Sequence, residues 1–335
     1  MDFISCRIIS LNPYNPLSVT LIIESNTSDL MKKLLIPLMI LLATSIFAQQ
    51  DPLYSQYMFN KLAVNPGYAG SRELLTADLL YRSQWVNIDG APKTISASLH
   101  SPLNNPHLAL GAYICNDQIG PLNYTGALAT FAYRVIFPKG KLSFGLQAGI
   151  KNNGIVMSEL KSYSQQDPLM YSNIEKKIVP DANFGVYYYT DRFYAGLSSL
   201  HLLQNQSQMV TDSAGNTQFT KLLSHFYGMT GAAFPLGENV VFRPSILAKY
   251  VNDAPPQLDI NASFLFANTF WLGASYRTEK AISLITEINI NQNIRIGYSY
   301  DMWLNELKTY NRGSHEFRLS FDLNVQKRIL TPRYF

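Results

Sequence analysis

The sequence predicts an all-β protein, an antiparallel transmembrane β-barrel of the outer-membrane type with about 14 strands. Three observations carry that expectation. Apolar and polar residues alternate over many segments of roughly ten residues, the period of a strand with two unlike faces. Aromatic side chains make up 13% of the 335 residues and charged ones only 15%, where ordinary soluble domains carry about 25% charged residues. Mean hydropathy is nevertheless close to zero, as it must be when two opposite faces cancel in the average.

The same figures exclude several classes. Intrinsic disorder needs few aromatics and much charge. A helical membrane bundle needs repeated apolar runs of about 20 residues, and only one long run is present. A net charge of +4, dispersed along the chain, offers no basic patch for nucleic acid.

The one long run, Leu34–Ala48, follows Met31-Lys32-Lys33 and leads into Gln49-Gln50. A basic start, an apolar stretch and a small residue at its end define a secretory signal peptide, here cut near Ala48. Because Met31 opens a complete signal, residues 1–30 are read as an upstream extension outside the native protein, and 31–48 as the signal. Cleavage removes Cys6 and leaves Cys115 alone, so the exported fold has to hold without an internal disulfide.

Residues 49–71 are rich in turn formers and are expected to be a periplasmic N-terminal segment. The barrel is expected over 72–325, and 326–335 as a periplasmic tail. The first strands fall near 72–85, 92–101, 107–116, 122–136 and 141–152. The last is the clearest: Leu142, Phe144, Leu146, Ala148 and Ile150 alternate with Ser143, Gly145, Gln147, Gly149 and Lys151. Further strands fall near 181–190, 192–200, 223–234, 240–251, 257–267, 269–277, 280–290, 292–301 and 314–325. In the final one, Phe317, Leu319, Phe321 and Leu323 alternate with Arg318, Ser320 and Asp322.

Alternation alone fits a soluble sandwich as well as a barrel. Three features favour the barrel. Aromatics such as Tyr276, Tyr298, Tyr300 and Phe317 stand where an interfacial girdle would lie. The polar face is rich in Gly and Ser with scattered charges, as a crowded lumen would be. Connections alternate in length, the longest being 153–180, 201–222 and 302–313. With both termini periplasmic, the short turns become periplasmic and the long loops extracellular. The exception is Thr278-Glu279, an outer connection as tight as an inner turn.

The search for catalytic or metal-binding chemistry returns little. None of His100, His107, His201, His225 and His315 has a second His or Cys at metal-ligand spacing. No nucleophile elbow, phosphate loop or His-Glu-x-x-His motif is present. Ser314, His315 and Glu316 are adjacent on one strand, and neighbours on a strand point to opposite faces, so they cannot converge. No enzyme activity, cofactor or metal is expected. Lumen-facing charges are expected at Arg243, Lys249, Glu287, Arg295, Arg318 and Asp322. They suit a network of ion pairs filling a narrow lumen, or else a charged transport path.

An ordered series of short motifs punctuates the chain: Asn65-Pro66-Gly67-Tyr68-Ala69-Gly70, Arg82-Ser83-Gln84-Trp85, Gly90-Ala91-Pro92, Gly120-Pro121, Lys249-Tyr250-Val251-Asn252-Asp253-Ala254-Pro255, Gly297-Tyr298-Ser299-Tyr300-Asp301 and Asn311-Arg312-Gly313-Ser314-His315-Glu316. From about Asp51 to Asp322 this series resembles the PorP/SprF family of type IX secretion system membrane proteins. Gly67 departs from the family's usual Ala and keeps the turn feasible. The resemblance implies an outer-membrane barrel that supports export or surface attachment of a client such as a large adhesin, including gliding adhesins. It implies as partners outer-membrane lipid, a secreted client with a C-terminal sorting domain, and other type IX secretion components. Most motif residues suit rigid turns, with Trp85 expected in the outer interface belt. The loop stretches Gln165–Tyr171 and Gln204–Phe219, polar with embedded aromatics, suit protein contacts. The alternative function is a channel for small or hydrophobic molecules.

Overall fold

A computed structural model of the chain describes residues 51–155, 177–211, 217–252 and 254–324. The segments expected as upstream extension, signal peptide and C-terminal tail lie outside the described residues, as do the loop stretch 165–171 and residues 212–216 of the stretch 204–219.

Fourteen long strands form the wall. In chain order they are β1 (Leu75–Ser83), β2 (Lys93–Pro102), β3 (Leu108–Ile119), β4 (Leu122–Phe137), β5 (Gly140–Ile155), β6 (Lys177–Tyr189), β7 (Phe193–Leu200), β8 (His225–Ala232), β9 (Val240–Val251), β10 (Gln257–Phe266), β11 (Phe270–Arg277), β12 (Ala281–Asn289), β13 (Ile294–Trp303) and β14 (Ser314–Leu323). Each pairs antiparallel with its neighbour in sequence, and β14 returns to β1 with Leu79 opposite Leu319. The sheet is therefore closed and leaves no edge along the wall. A two-stranded hairpin, Gln206–Thr211 with Thr217–Lys221, stands in the connection after β7.

The direction of burial separates this fold from a sandwich. On β5 the apolar set faces out, with Leu146 53% and Ile150 51% exposed, while Ser143 and Gln147 are buried. On β14, Phe317, Leu319 and Phe321 are exposed and Arg318, Ser320 and Asp322 are buried. In water each exposed Leu or Ile would forgo about 1.5–3 kcal/mol of burial. A lipid exterior removes that cost, and the polar face must then find its partners inside. Exposed tyrosines Tyr81, Tyr250 and Tyr276 ring the long-loop end of the wall, and phenylalanines Phe137, Phe193, Phe234 and Phe270 ring the opposite end.

The inside is not empty. Residues 51–74 run through the lumen before β1 begins, with 3-10 turns at Lys61–Ala63 and Pro66–Tyr68. Asp51 lies against His201 and Lys151 at the long-loop end, and Arg72 lies 2.9 Å from Asp322 near the other end of β14. The segment thus traverses the barrel from loop end to turn end. This corrects the expectation of a periplasmic segment over 49–71 for the described part. The physical reason is that the inward face of the wall is polar. Ser55, Gln56 and Asn65 of the segment supply hydrogen-bond partners to that face.

Candidate functional site

The lumen segment is held in four zones, and the residues flagged in the sequence meet in three of them.

Near the loop end, Arg82 of β1, Asp301 of β13 and Glu316 of β14 converge on Ser55 and Gln56. Arg82 Nη2 lies 2.6 Å from Asp301 Oδ2, and Nη1 lies 3.0 Å from Glu316 Oε2. Ser55 Oγ donates to Asp301 at 2.7 Å and accepts from Arg82 at 2.9 Å. The backbone N–H groups of Ser55 and Gln56 donate to the two Glu316 oxygens at 2.9 and 2.8 Å. One guanidinium fork, two carboxylates and two backbone donors saturate one another, which is how a buried charge group is tolerated. Three separate motifs supply the charges, one each from three strands.

In the middle, Asn65 caps the second turn. Its Oδ1 accepts from Gly67 N–H at 2.8 Å, and its Nδ2 donates to the Val186 and Leu197 carbonyls at 3.1 and 3.3 Å. Pro66 and Gly67 press so closely on β5 that a Cβ at Gly145 would sit 2.2 Å from the Pro66 carbonyl carbon. Tyr68 packs edge-on against Tyr187 and His100. Gly70 takes φ +72°, where a side chain would be strained, and its carbonyl accepts from Arg134 at 2.9 Å. These motif residues are therefore buried lumen contacts and not a periplasmic turn.

Toward the turn end lies the charge network. Arg318 pairs with Asp78 and Glu287. Arg295 Nη2 is 2.8 Å from Asp322, which also holds Arg72. Arg243 donates to the Met58 carbonyl at 3.1 Å and lies over the Trp271 and Phe59 rings. Lys249 is buried over the Tyr227 ring. All six lumen charges point inward, and Glu287, Arg295, Arg318 and Asp322 form ion pairs in this zone. Partners that the alternation did not mark, such as Asp78, Arg134 and Glu73, complete the set.

The remaining motif residues knit the rim. Gly120 N–H donates to the Gly90 carbonyl at 2.8 Å, and Gln84 N–H donates to the Pro92 carbonyl at 2.9 Å. Pro121 stands in the two-residue turn between β3 and β4. Val86 N–H donates to the Gly313 carbonyl and Arg312 N–H to the Val86 carbonyl, both at 2.9 Å. Asn311 Oδ1 accepts from Gly313 N–H at 2.8 Å. His315 faces outward, its Nδ1 2.8 Å from the Tyr298 hydroxyl. Trp85 departs from expectation. Its backbone turns into positive φ just past β1, so the alternation stops. The indole packs edge-on against Trp303 with its N–H buried, not in the interface belt.

A fourth zone escaped the sequence. At the loop end of the lumen, Asp51 meets His201, His225, Lys151 and Asp181. His201 Nε2 is 2.8 Å from the Asp51 carboxylate and its Nδ1 is 2.7 Å from Asp181 Oδ2. The two histidines lie at opposite ends of the β7–β8 connection. A search for His pairs at short spacing passes over them, and only barrel closure brings them to the segment's first described residue.

A family model described as type IX secretion system membrane protein PorP/SprF matches residues 46–321. Among solved structures, the fold is similar to the outer membrane protein Omp33 of Acinetobacter baumannii, at 8% identity over 75% of this chain and 100% of that one, TM-score 0.43. It is similar to the Ralstonia pickettii toluene transporter TbuX, at 9% identity over 78% of this chain and 92% of that one, TM-score 0.46. It is also similar to the Pseudomonas putida toluene transporter TodX, at 12% identity over 79% and 93% of the two chains, TM-score 0.44. No curated protein matches the sequence.

Proposed function

The chain belongs to the PorP/SprF family of type IX secretion system membrane proteins, and we propose that it acts as a non-enzymatic, internally sealed outer-membrane barrel supporting export or surface attachment of a client through protein–protein contacts. The observation that carries this reading is the lumen segment. A barrel filled along its length by its own chain, on buried ion pairs, presents its rim and loops to partners and not an aqueous path. The loops 84–92, 120–121 and 304–313 form a hydrogen-bonded rim on which a partner can dock.

The client in this reading is a secreted protein with a C-terminal sorting domain, such as a large adhesin. Other type IX components and outer-membrane lipid are the remaining partners. Export by the signal over 31–48, cleavage near Ala48 and long loops facing the cell surface belong to the same proposal. Deleting the gene and measuring surface proteins by mass spectrometry tests it. Loss of one or a few type IX clients from the surface is expected, and unchanged export of every such client would sink the idea. The competing reading, a channel for small or hydrophobic molecules, requires the lumen segment to leave and is tested by the conductance experiment below.

A further inference from the structure

Asp51, His201 and His225 each offer a ligand atom, and the three atoms lie within 4.8 Å of one another. Asp51 Oδ2 is 2.8 Å from His201 Nε2 and 3.9 Å from His225 Nδ1. Both imidazoles are held from behind. His201 Nδ1 lies 2.7 Å from Asp181 Oδ2, and in the tautomer that donates there the Nε2 lone pair faces Asp51. His225 Nδ1 lies 3.0 Å from the Leu223 carbonyl, and its Nε2 is buried with no hydrogen bond among the described residues. A carboxylate behind one ring and a backbone carbonyl behind the other is the arrangement that orients metal-binding histidines and fixes their tautomers.

We propose that Asp51, His201 and His225 bind a divalent transition-metal ion, with Zn2+ the best fit to two imidazoles and one carboxylate. Zinc takes such ligands at about 2.0–2.2 Å in a tetrahedron, with a fourth position open to water. The 2.8 Å between Asp51 Oδ2 and His201 Nε2 is near the roughly 3.3 Å between ligand atoms that such bonds imply, and the ligand atom of His225 lies within 4.8 Å of both. Closing the site brings the His225 ring toward that pair. Lys151 is the competitor: its Nζ is 3.1 Å from His201 Nε2 and 3.3 Å from Asp51 Oδ1. Its side chain is 18% exposed and borders a cavity of about 60 Å³, into which it can swing. Bound metal would join the start of the lumen segment to β8 and to the β7–β8 connection, a staple at the mouth of the barrel.

The test uses purified full-length protein without a histidine tag, stripped with chelator and titrated with Zn2+. Co2+ serves as a spectroscopic probe of tetrahedral ligation. One equivalent of zinc is expected per chain. His225→Ala and Asp51→Asn should each weaken binding at least tenfold. Asp181→Asn should weaken it about 10–100-fold through the second ligand shell. Lys151→Met should tighten binding, a gain that misfolding cannot mimic. Absence of one-equivalent binding by the wild-type chain overturns the site. So does binding that either His225→Ala or Asp51→Asn leaves unchanged, since a histidine merely shared between Asp51 and Asp181 would behave in one of those two ways.

Discussion

Arg82 and Asp301 form a 2.6 Å ion pair although their strands, β1 and β13, are not neighbours, and Ser55 of the lumen segment bridges the two. The wall and the segment therefore share one buried charge group. Arg82 is fully buried, and so are both of its carboxylate partners.

Removing that guanidinium leaves two carboxylates unpaired in the lumen. Arg82→Met should cost about 3–5 kcal/mol, read as a large fall in the thermal unfolding midpoint in detergent. Arg82→Lys should recover only part of it, because a single ammonium cannot reproduce the two-pronged contact. Ser55→Ala removes a bridging hydroxyl and should cost about 1 kcal/mol.

Gly145 separates the stability of the wall from docking of the segment. A Cβ there meets the Pro66 backbone at 2.2 Å, so Gly145→Ala should expel the segment while the barrel still closes. Trypsin should then cleave at Lys61, which is only 1% exposed when docked. Gly228→Ala is the control, since its Cβ would meet only Leu197 Cδ2 at an ordinary 3.5 Å. Equal protease resistance of the two variants would show that Pro66 does not press on the wall.

Asn65 tests the cap. Asn65→Ala forfeits one accepted and two donated hydrogen bonds, about 0.5–1.5 kcal/mol each. Asn65→Asp keeps the acceptor for Gly67 but sets a carboxylate against the Val186 and Leu197 carbonyls. It should be the more damaging change, despite being nearly isosteric. Hydrogen exchange at the Gly67 amide should be accelerated in both variants, and more in the aspartate.

Lys61 tests the cost of burying an amine in the lumen. It is 1% exposed, and its Nζ donates to the Met58 carbonyl at 2.8 Å. Taking a charged group out of water is expensive. Lys61→Met removes that cost. Near neutral pH it should raise the unfolding midpoint by about 2 °C, the shift expected for roughly 1 kcal/mol in a chain of this size. A midpoint lowered at every pH would show that the contacts of Nζ with the Met58 carbonyl and the Tyr68 and Tyr194 rings outweigh burial.

The wall was legible because each strand writes its two environments into alternate residues. Leu146 and Gln147 declare lipid and lumen without reference to anything distant. The lumen segment carries no such signal. Its surroundings are polar, so Ser55, Gln56 and Asn60 are buried without looking buried, and Asn65–Gly70 reads as a turn whether it lies in water or in a barrel. The inward direction of Arg318 and Asp322 could be read from one strand, but their partners could not. Asp78 and Arg72 reach them only because β14 closes on β1. Asp301 and Glu316 stood in motifs, yet their shared contact with Arg82 needed that closure too. His201 and His225 had the least local signal, being brought together across a whole connection. Trp85 was misplaced because strand alternation was extended two residues past Ser83, where β1 ends.

The central claim is that the chain seals its own lumen, and planar-bilayer recording of the purified full-length protein tests it most directly. Wild type should insert without a sustained ionic current, and Gly145→Ala should show steady conductance. A stable open channel in the wild-type protein would contradict the account.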